Sequence, residues 1–233
     1  MKNLLTNLKL NDNGIYYYDF KSFDQKEELK IRKNFNLKTK DYFKQISKNH
    51  SIPVMDHEVE IFLKKIPRNG IVLDVGGGWG WHFRNLDKIR PDVKIFILDI
   101  VIENLEIAKK LFPKMSKNIY LVHGTATKLP FPKNSISGYW SVQTLQHIPN
   151  FELAILEAYR VLNVGGHFAN YSLQDQFLIN LLYRFLKPSA YNKRSMTSFF
   201  IEKACLKQVN YINKIFNKNL KRRFSEFLFF PAL

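Results

Sequence analysis

The 233-residue chain contains one cysteine, Cys205, which excludes an intramolecular disulfide and leaves no cysteine cluster to hold zinc. Its six histidines are scattered, with no HxxxH pair, and we expect no metal site. No apolar run approaches the ~20 residues that span a bilayer. Residues 1–10 alternate leucine with lysine, asparagine and threonine instead of forming the apolar core of a leader. These absences lead us to expect a soluble, unexported, cytoplasmic protein. Glycine is scarce too: there are 10 in the chain, and four of them, at positions 76, 77, 78 and 80, fall within five residues.

Acidic side chains are under-represented, with 20 Asp and Glu against 36 Lys and Arg, for a formal charge of +16. Residues 171–233 hold 11 basic and 3 acidic side chains, a net +8 and half of the excess. Basic residues interleaved with aromatics, as in KRRFSEFLFF, suit a membrane surface or single-stranded nucleic acid. A compositional bias toward Lys, Asn, Ile and Phe accounts for the same pattern with the aromatics finishing the core, and that is the reading we favour.

Three zones divide the chain. Residues 1–68 mix charge with aromatic clusters (Tyr16, Tyr17, Tyr18, Phe20, Phe23) and predict helices over 25–32, 39–48 and 56–65, an amino-terminal helical cap. From 69 to 173, short β-branched runs alternate with helical stretches. Strands are predicted over 71–75, 94–100, 119–123, 138–143 and 167–173, and helices over 79–89, 102–111 and 151–162, the last stopped by Gly165-Gly166. Such alternation predicts an α/β fold with a doubly wound, mainly parallel sheet covered on both faces. Residues 174–233 predict a basic, largely helical carboxy-terminal region that completes the fold and lies near the acceptor.

The stretch VLDVGGGWGWHFR places Gly76, Gly78 and Gly80 directly after the first strand of this zone. In open α/β sheets, ligands sit beyond the carboxyl ends of the strands, where a glycine turn lets backbone approach them. A dinucleotide fingerprint needs a third small residue for helix-to-strand packing, and that position is Trp81. The indole argues against a nicotinamide or flavin dinucleotide. Asp99, at the end of the second strand, suits a carboxylate that accepts hydrogen bonds from ribose hydroxyls, a role compatible with either cofactor class.

Asp74 with the GxGxG spacing resembles the first motif of class I S-adenosylmethionine-dependent methyltransferases. HGTATKLPFPKNSISGYW and EAYRVLNVGGHF resemble two further motifs of the type 11, small-molecule family, and the likeness spans residues 70–170. The resemblance implies S-adenosyl-L-methionine as cofactor, contacted by Asp74, Gly76, Gly78, Gly80, Asp99, Ile100, Thr125, Ala126 and Gln143. It also implies that Ala126 meets the adenine edge through its backbone. This chain departs from the pattern at Thr125, where the family carries an Asp that contacts the adenine amino group, at Ser137, where an acid is usual, and at Gly138, where a bulkier residue is common.

Methyl transfer from a sulfonium is a direct displacement, so alignment and exclusion of water matter more than covalent catalysis. A base helps when the acceptor must lose a proton, and histidine suits that role near neutral pH. His147, in VQTLQHIPN after the fourth strand, is the candidate, with a loop-shaping role as its alternative. We expect a methyltransferase acting on an O or N atom of a small, sugar-linked or lipid-linked acceptor. The alternatives are an RNA methyltransferase, for which no NPPY-type or catalytic-cysteine signature is found, and a non-catalytic S-adenosylmethionine-binding protein. Peripheral membrane contact through the basic tail stays open, as does the oligomeric state.

Overall fold

The computed structural model describes residues 2–20, 51–111, 117–142, 144–171, 211–212, 214–216 and 223–224. Its centre is one sheet of eight strands: β1 (Lys9–Leu10), β2 (Tyr16–Tyr17), β3 (Ile71–Val75), β4 (Lys94–Asp99), β5 (Ile119–His123), β6 (Ile136–Ser141), β7 (Leu162–Asn170) and β8 (Arg223–Phe224). Their order across the sheet is β1-β2-β5-β4-β3-β6-β7-β8. Every pairing is parallel except β1 with β2. The chain runs outward from β3 to β4 and β5 on one side, then returns to β6 and β7 on the other. The strand order therefore reverses between β3 and β6, which opens a crevice at their carboxyl ends.

Period-2 alternation assigns the strand residues to two cores. Leu73, Val75, Phe96, Leu98, Val122, Tyr139 and Phe168 face the helix Phe151–Val161, which buries Phe151, Ala154, Ile155, Ala158 and Val161. Val72, Ile95, Ile97, Leu121, Trp140 and Ala169 face the opposite way. They meet Met55, Val59, Phe62 and Leu63 of the helix Ser51–Lys65, and Leu105 and Ala108 of the helix Ile102–Leu111. With apolar residues facing both ways, the strands read as continuous hydrophobic runs, the pattern of a covered parallel sheet.

Both departures inside β6 have a structural cause. Ser137 is buried, and its hydroxyl accepts the Ile71 N–H at 3.4 Å, so a neutral side chain joins β6 to β3 there. Gly138 makes room for the covering helix, since a Cβ would lie 2.5 Å from Ile66 Cδ1 and 2.7 Å from Phe62 Cζ.

Several sequence expectations are adjusted. The helix expected over 79–89 is a 3-10 turn, Trp81–Phe83, followed by a single α-turn, Leu86–Ile89. Gly80 precedes it with φ 72° and no side-chain cap, so no long helix is nucleated. The strand expected over 138–143 spans Ile136–Ser141, and the one expected over 167–173 begins at Leu162. Gly165 (φ 79°) and Gly166 thus lie within β7, where the ladder with β6 shifts register between Ile136 and Gly138, instead of between helix and strand.

The helix expected over 56–65 is Ser51–Lys65, while Tyr16–Tyr17 joins the sheet beside β5. The helices expected over 25–32 and 39–48 lie outside the described residues, as does most of the tail. Among the described residues, no helix is long and apolar enough to cross a membrane.

Gly138→Ala should lower the unfolding free energy by about 1–3 kcal/mol through overpacking against Ile66 and Phe62. Urea unfolding would measure it. Adding Ile66→Val should restore part of the loss, and no rescue would mean that the crowding is not at this contact.

Candidate functional site

At the carboxyl end of β3 the chain turns through Gly76, Gly78 and Gly80 with φ of 69°, 53° and 72°, so the GxGxG spacing marks three left-handed residues. The turn is lashed to β4. Gly76 and Gly77 donate to the Leu98 carbonyl at 2.7 and 3.3 Å, and Gly78 donates to Asp99 Oδ2 at 3.0 Å. A Cβ on Gly76 would collide with Thr144 at 2.1 Å, and one on Gly77 with Asp74 Oδ2 at 2.4 Å. At Gly78 it would meet only Asp99 Oδ2, at 3.9 Å. The turn is therefore closed on two sides and open over Asp99, a cradle of backbone at the strand-order reversal.

Two carboxylates flank this cradle in different states. Asp99 is held by donors, its Oδ1 accepting Val101 N–H at 2.8 Å and Asn104 Nδ2 at 3.4 Å. Asp74 is 1% exposed, and neither of its oxygens has a hydrogen-bond partner among the described residues. Burial, with the Asp99 charge adding to it, pushes the Asp74 carboxyl well above the usual carboxylate range. A buried carboxyl without a donor is costly, and a cationic ligand group beside it would offset that cost.

The third wall is the turn after β5. Gly124 donates to the Asp99 carbonyl at 3.0 Å, which ties this turn to the end of β4. Thr125 and Ala126 are buried. The Thr125 hydroxyl lies 3.0 Å from the Thr127 hydroxyl and accepts the Thr127 N–H at 3.3 Å, so the residue standing in for the family's Asp is engaged within its own turn. Ile100 is buried with Val101 and Phe20.

The LPF and ExxR stretches prove to be two halves of one clamp. Glu157 accepts the Leu129 N–H at 2.7 Å. Arg160 holds Glu157 at 2.6 and 2.7 Å while donating to the Phe131 and Leu129 carbonyls at 2.7 and 2.9 Å. In this chain the second stretch therefore fixes the first.

The structure thus brings Asp74, the three alternating glycines, Asp99, Ile100, Thr125 and Ala126 to adjacent strand ends. His147 lies on the 3-10 turn Leu145–His147, exposed, and its N–H donates to the Thr144 carbonyl at 2.9 Å. The Thr144 hydroxyl faces the Val142 carbonyl at 3.1 Å and the Gly76 carbonyl at 3.4 Å, one link from the glycine turn. Gln143 lies outside the described residues.

The aromatic half of the opening motif packs inward. Phe83 and His82 are edge-on to Trp140 at 5.8 and 6.0 Å, and Arg84 lies 4.1 Å over Trp81 while pairing with Asp56 at 2.8 and 2.5 Å. Enclosure, with Arg84 adding to it, lowers the His82 imidazole to about 4. Sequence reasoning missed Thr144 and the role of Tyr18, whose hydroxyl meets the 125–128 turn. Neither belongs to a motif, and only the YYY cluster hinted at the second.

The buried Asp74 yields a signed pH dependence. A carboxyl with a raised folded pKa favours the folded state at low pH, and that contribution is lost as pH rises from its unfolded value of about 4. Asp74→Asn keeps the shape without the charge. It should therefore raise the melting temperature of the unliganded protein by several degrees at pH 8 and by much less at pH 5. Melts of both proteins at the two pH values test this, and an Asn variant less stable at pH 8 would sink it.

Residues 73–170 match the family model described as a methyltransferase domain. The demethylmenaquinone methyltransferase of Lactococcus lactis is 32% identical over 153 residues, 63% of this chain and 59% of that protein. The 2-methyl-6-phytyl-1,4-hydroquinone methyltransferase of Spinacia oleracea is 36% identical over 99 residues, 42% of this chain and 28% of that one. The chain therefore spans less than two thirds of the length of these curated relatives. A solved structure of a candidate S-adenosylmethionine-dependent methyltransferase from Methanococcus maripaludis shares the fold, with a TM-score of 0.50 at 21% identity over 82% of this chain and 86% of that one. Residues 73–170 thus match a methyltransferase domain and take the fold of S-adenosylmethionine-dependent methyltransferases.

Proposed function

We propose that the protein transfers a methyl group from S-adenosylmethionine to a small hydroquinone-type aromatic acceptor. The observation that carries the cofactor half is the donorless, buried Asp74 beside a backbone cradle whose far side is Asp99. A ligand with an ammonium at one end and a ribose further along matches both carboxylates. The acceptor half rests on the relatives, whose names specify demethylmenaquinone, 2-methyl-6-phytyl-1,4-hydroquinone and ubiquinone/menaquinone biosynthesis, the last as C-methyltransferases. That favours a ring carbon over the O or N atom expected from sequence.

The residues divide the work. S-adenosylmethionine, when bound, supplies an electrophilic methyl on a sulfonium. Asp74 accepts from the ammonium, Asp99 from the ribose hydroxyls, and Ala126 N–H donates to the adenine edge. The glycine turn brings backbone close and keeps the space over Asp99 clear of side chains. His147, on the turn after β6, receives the acceptor hydroxyl proton, which raises the electron density of the ring that attacks. The ring carbon would then lose its proton to water as aromaticity returns, and His147 would give its proton back to the ring oxygen, leaving a methylated hydroquinone with both hydroxyls intact, S-adenosylhomocysteine and one proton released to solvent.

Calorimetry with S-adenosylhomocysteine should detect binding by the wild type, weakened at least about 30-fold in Asp99→Ala through loss of charge-assisted hydrogen bonds. No wild-type binding, or equal binding by the variant, would overturn the cofactor assignment. With a short-chain hydroquinone and methyl-labelled cofactor, label should appear on ring carbon. His147→Ala should lower kcat by about 100-fold with little change in KM, and an undiminished kcat would remove His147 as the base.

A further inference from the structure

The turn after β5 is held from two directions, and one of them is unrelated to the family motifs. Tyr18, which follows β2 near the amino terminus, places its hydroxyl against this turn across more than a hundred residues of sequence. The phenol oxygen accepts the Thr125 N–H at 3.1 Å, and its own proton faces the Lys128 carbonyl, with the Thr125 carbonyl at 3.2 Å. The ring fills the place of a side chain at position 124, since a Cβ on Gly124 would lie 2.5 Å from Tyr18 Cε1. Lys128 returns the contact by donating to the Asp19 carbonyl at 3.0 Å. Phe20 extends the wall, 5.0 Å from the Tyr18 ring, edge-on to His123 at 5.0 Å, and buried with Ile100.

A count of donors shows what this contact does. Thr125 N–H goes to the Tyr18 hydroxyl, Thr127 N–H to the Thr125 hydroxyl, and Lys128 N–H to the Thr125 carbonyl at 3.4 Å. Of the four amides from 125 to 128, only that of Ala126 has no acceptor among the described residues. An uncommitted amide in a buried turn calls for a ligand acceptor.

Resting on the methyltransferase reading above, we propose that Tyr18 is a positioning residue that presets the 125–128 turn. It occupies the competing Thr125 amide and so leaves Ala126 N–H as the one donor for an unprotonated ring nitrogen of the adenine. Specificity for adenine then comes from a turn whose other amides are already spoken for, while the Thr125 side chain reads nothing outside the turn. Burial raises the Tyr18 phenol above its ordinary range, so the hydroxyl keeps its proton throughout the working pH range.

Calorimetry with S-adenosylhomocysteine and S-inosylhomocysteine separates the possibilities, because the inosine base carries N1–H where adenine offers an acceptor. The wild type should favour the adenine form by at least about tenfold. Tyr18→Phe, which keeps the ring, should bind the adenine form about tenfold more weakly and lose most of the discrimination. Gly124→Ala, which displaces the ring while keeping the hydroxyl, should do the same, and thermal melts would establish that both variants fold.

If the wild type binds and Tyr18→Phe matches it in affinity and discrimination, the proposal is overturned. A uniform weakening toward both ligands also overturns it, since that is the behaviour of a packing residue. A wild type that binds neither ligand fails at the cofactor reading itself.

Discussion

The site depends on the attachment of the glycine turn to the end of β4. Three consecutive amides, Gly76 to Gly78, donate to the Leu98 carbonyl and the Asp99 carboxylate, and Gly124 donates to the Asp99 carbonyl from the other side. These bonds are possible only because β3, β4 and β5 are parallel and in register, with Val75 opposite Leu98 and Asp99 opposite His123. The same register brings three separate loops to one edge of the sheet. Sheet geometry, more than any single side chain, therefore determines that the Asp99 carboxylate, a backbone cradle and the 125–128 turn face a common crevice.

Around this frame the protein combines well-satisfied and unsatisfied groups. Glu157 and Arg160 are fully employed in holding Leu129 and Phe131. Asp74 is buried with no donor among the described residues, beside a second carboxylate. Well-satisfied networks make a fold rigid, while a group left unsatisfied inside one marks where a ligand does the satisfying. The contrast separates motif residues whose hydrogen bonds build the domain from one whose bonds the described residues leave unmade.

Much of the architecture was legible in the sequence because the strands of a covered parallel sheet announce themselves. IVLDV and IYLVH have the predicted boundaries, as does the helix Ile102–Leu111. The region after the glycine turn was misread, since the apolar residues of WGWHFRNLDKI suit a helix, yet Gly80 in the left-handed region and the pull of Phe83 toward Trp140 leave only short turns. The glycines of VLNVGG looked like a helix stop, but their conformational freedom is used within β7. Motif spacing singled out Asp74, the glycines, Asp99 and Ala126, which the fold brings to adjacent strand ends. It could not reveal Thr144 or Tyr18, whose importance arises from tertiary proximity.

The contact of Tyr18 with the 125–128 turn also bears on how the protein comes into being. Residues 2–20 are synthesised before residues 119–128, so β2 can pair only with β1 until Ile119–His123 has been made, and the Tyr18 hydroxyl meets its partners only once Thr125 and Lys128 follow. This segment can thus dock only after a further 107 residues have been made, a long-range closure of the kind that slows folding. Until then β5 presents an open edge, so a nascent chain paused before this step is exposed to strand addition by a neighbour.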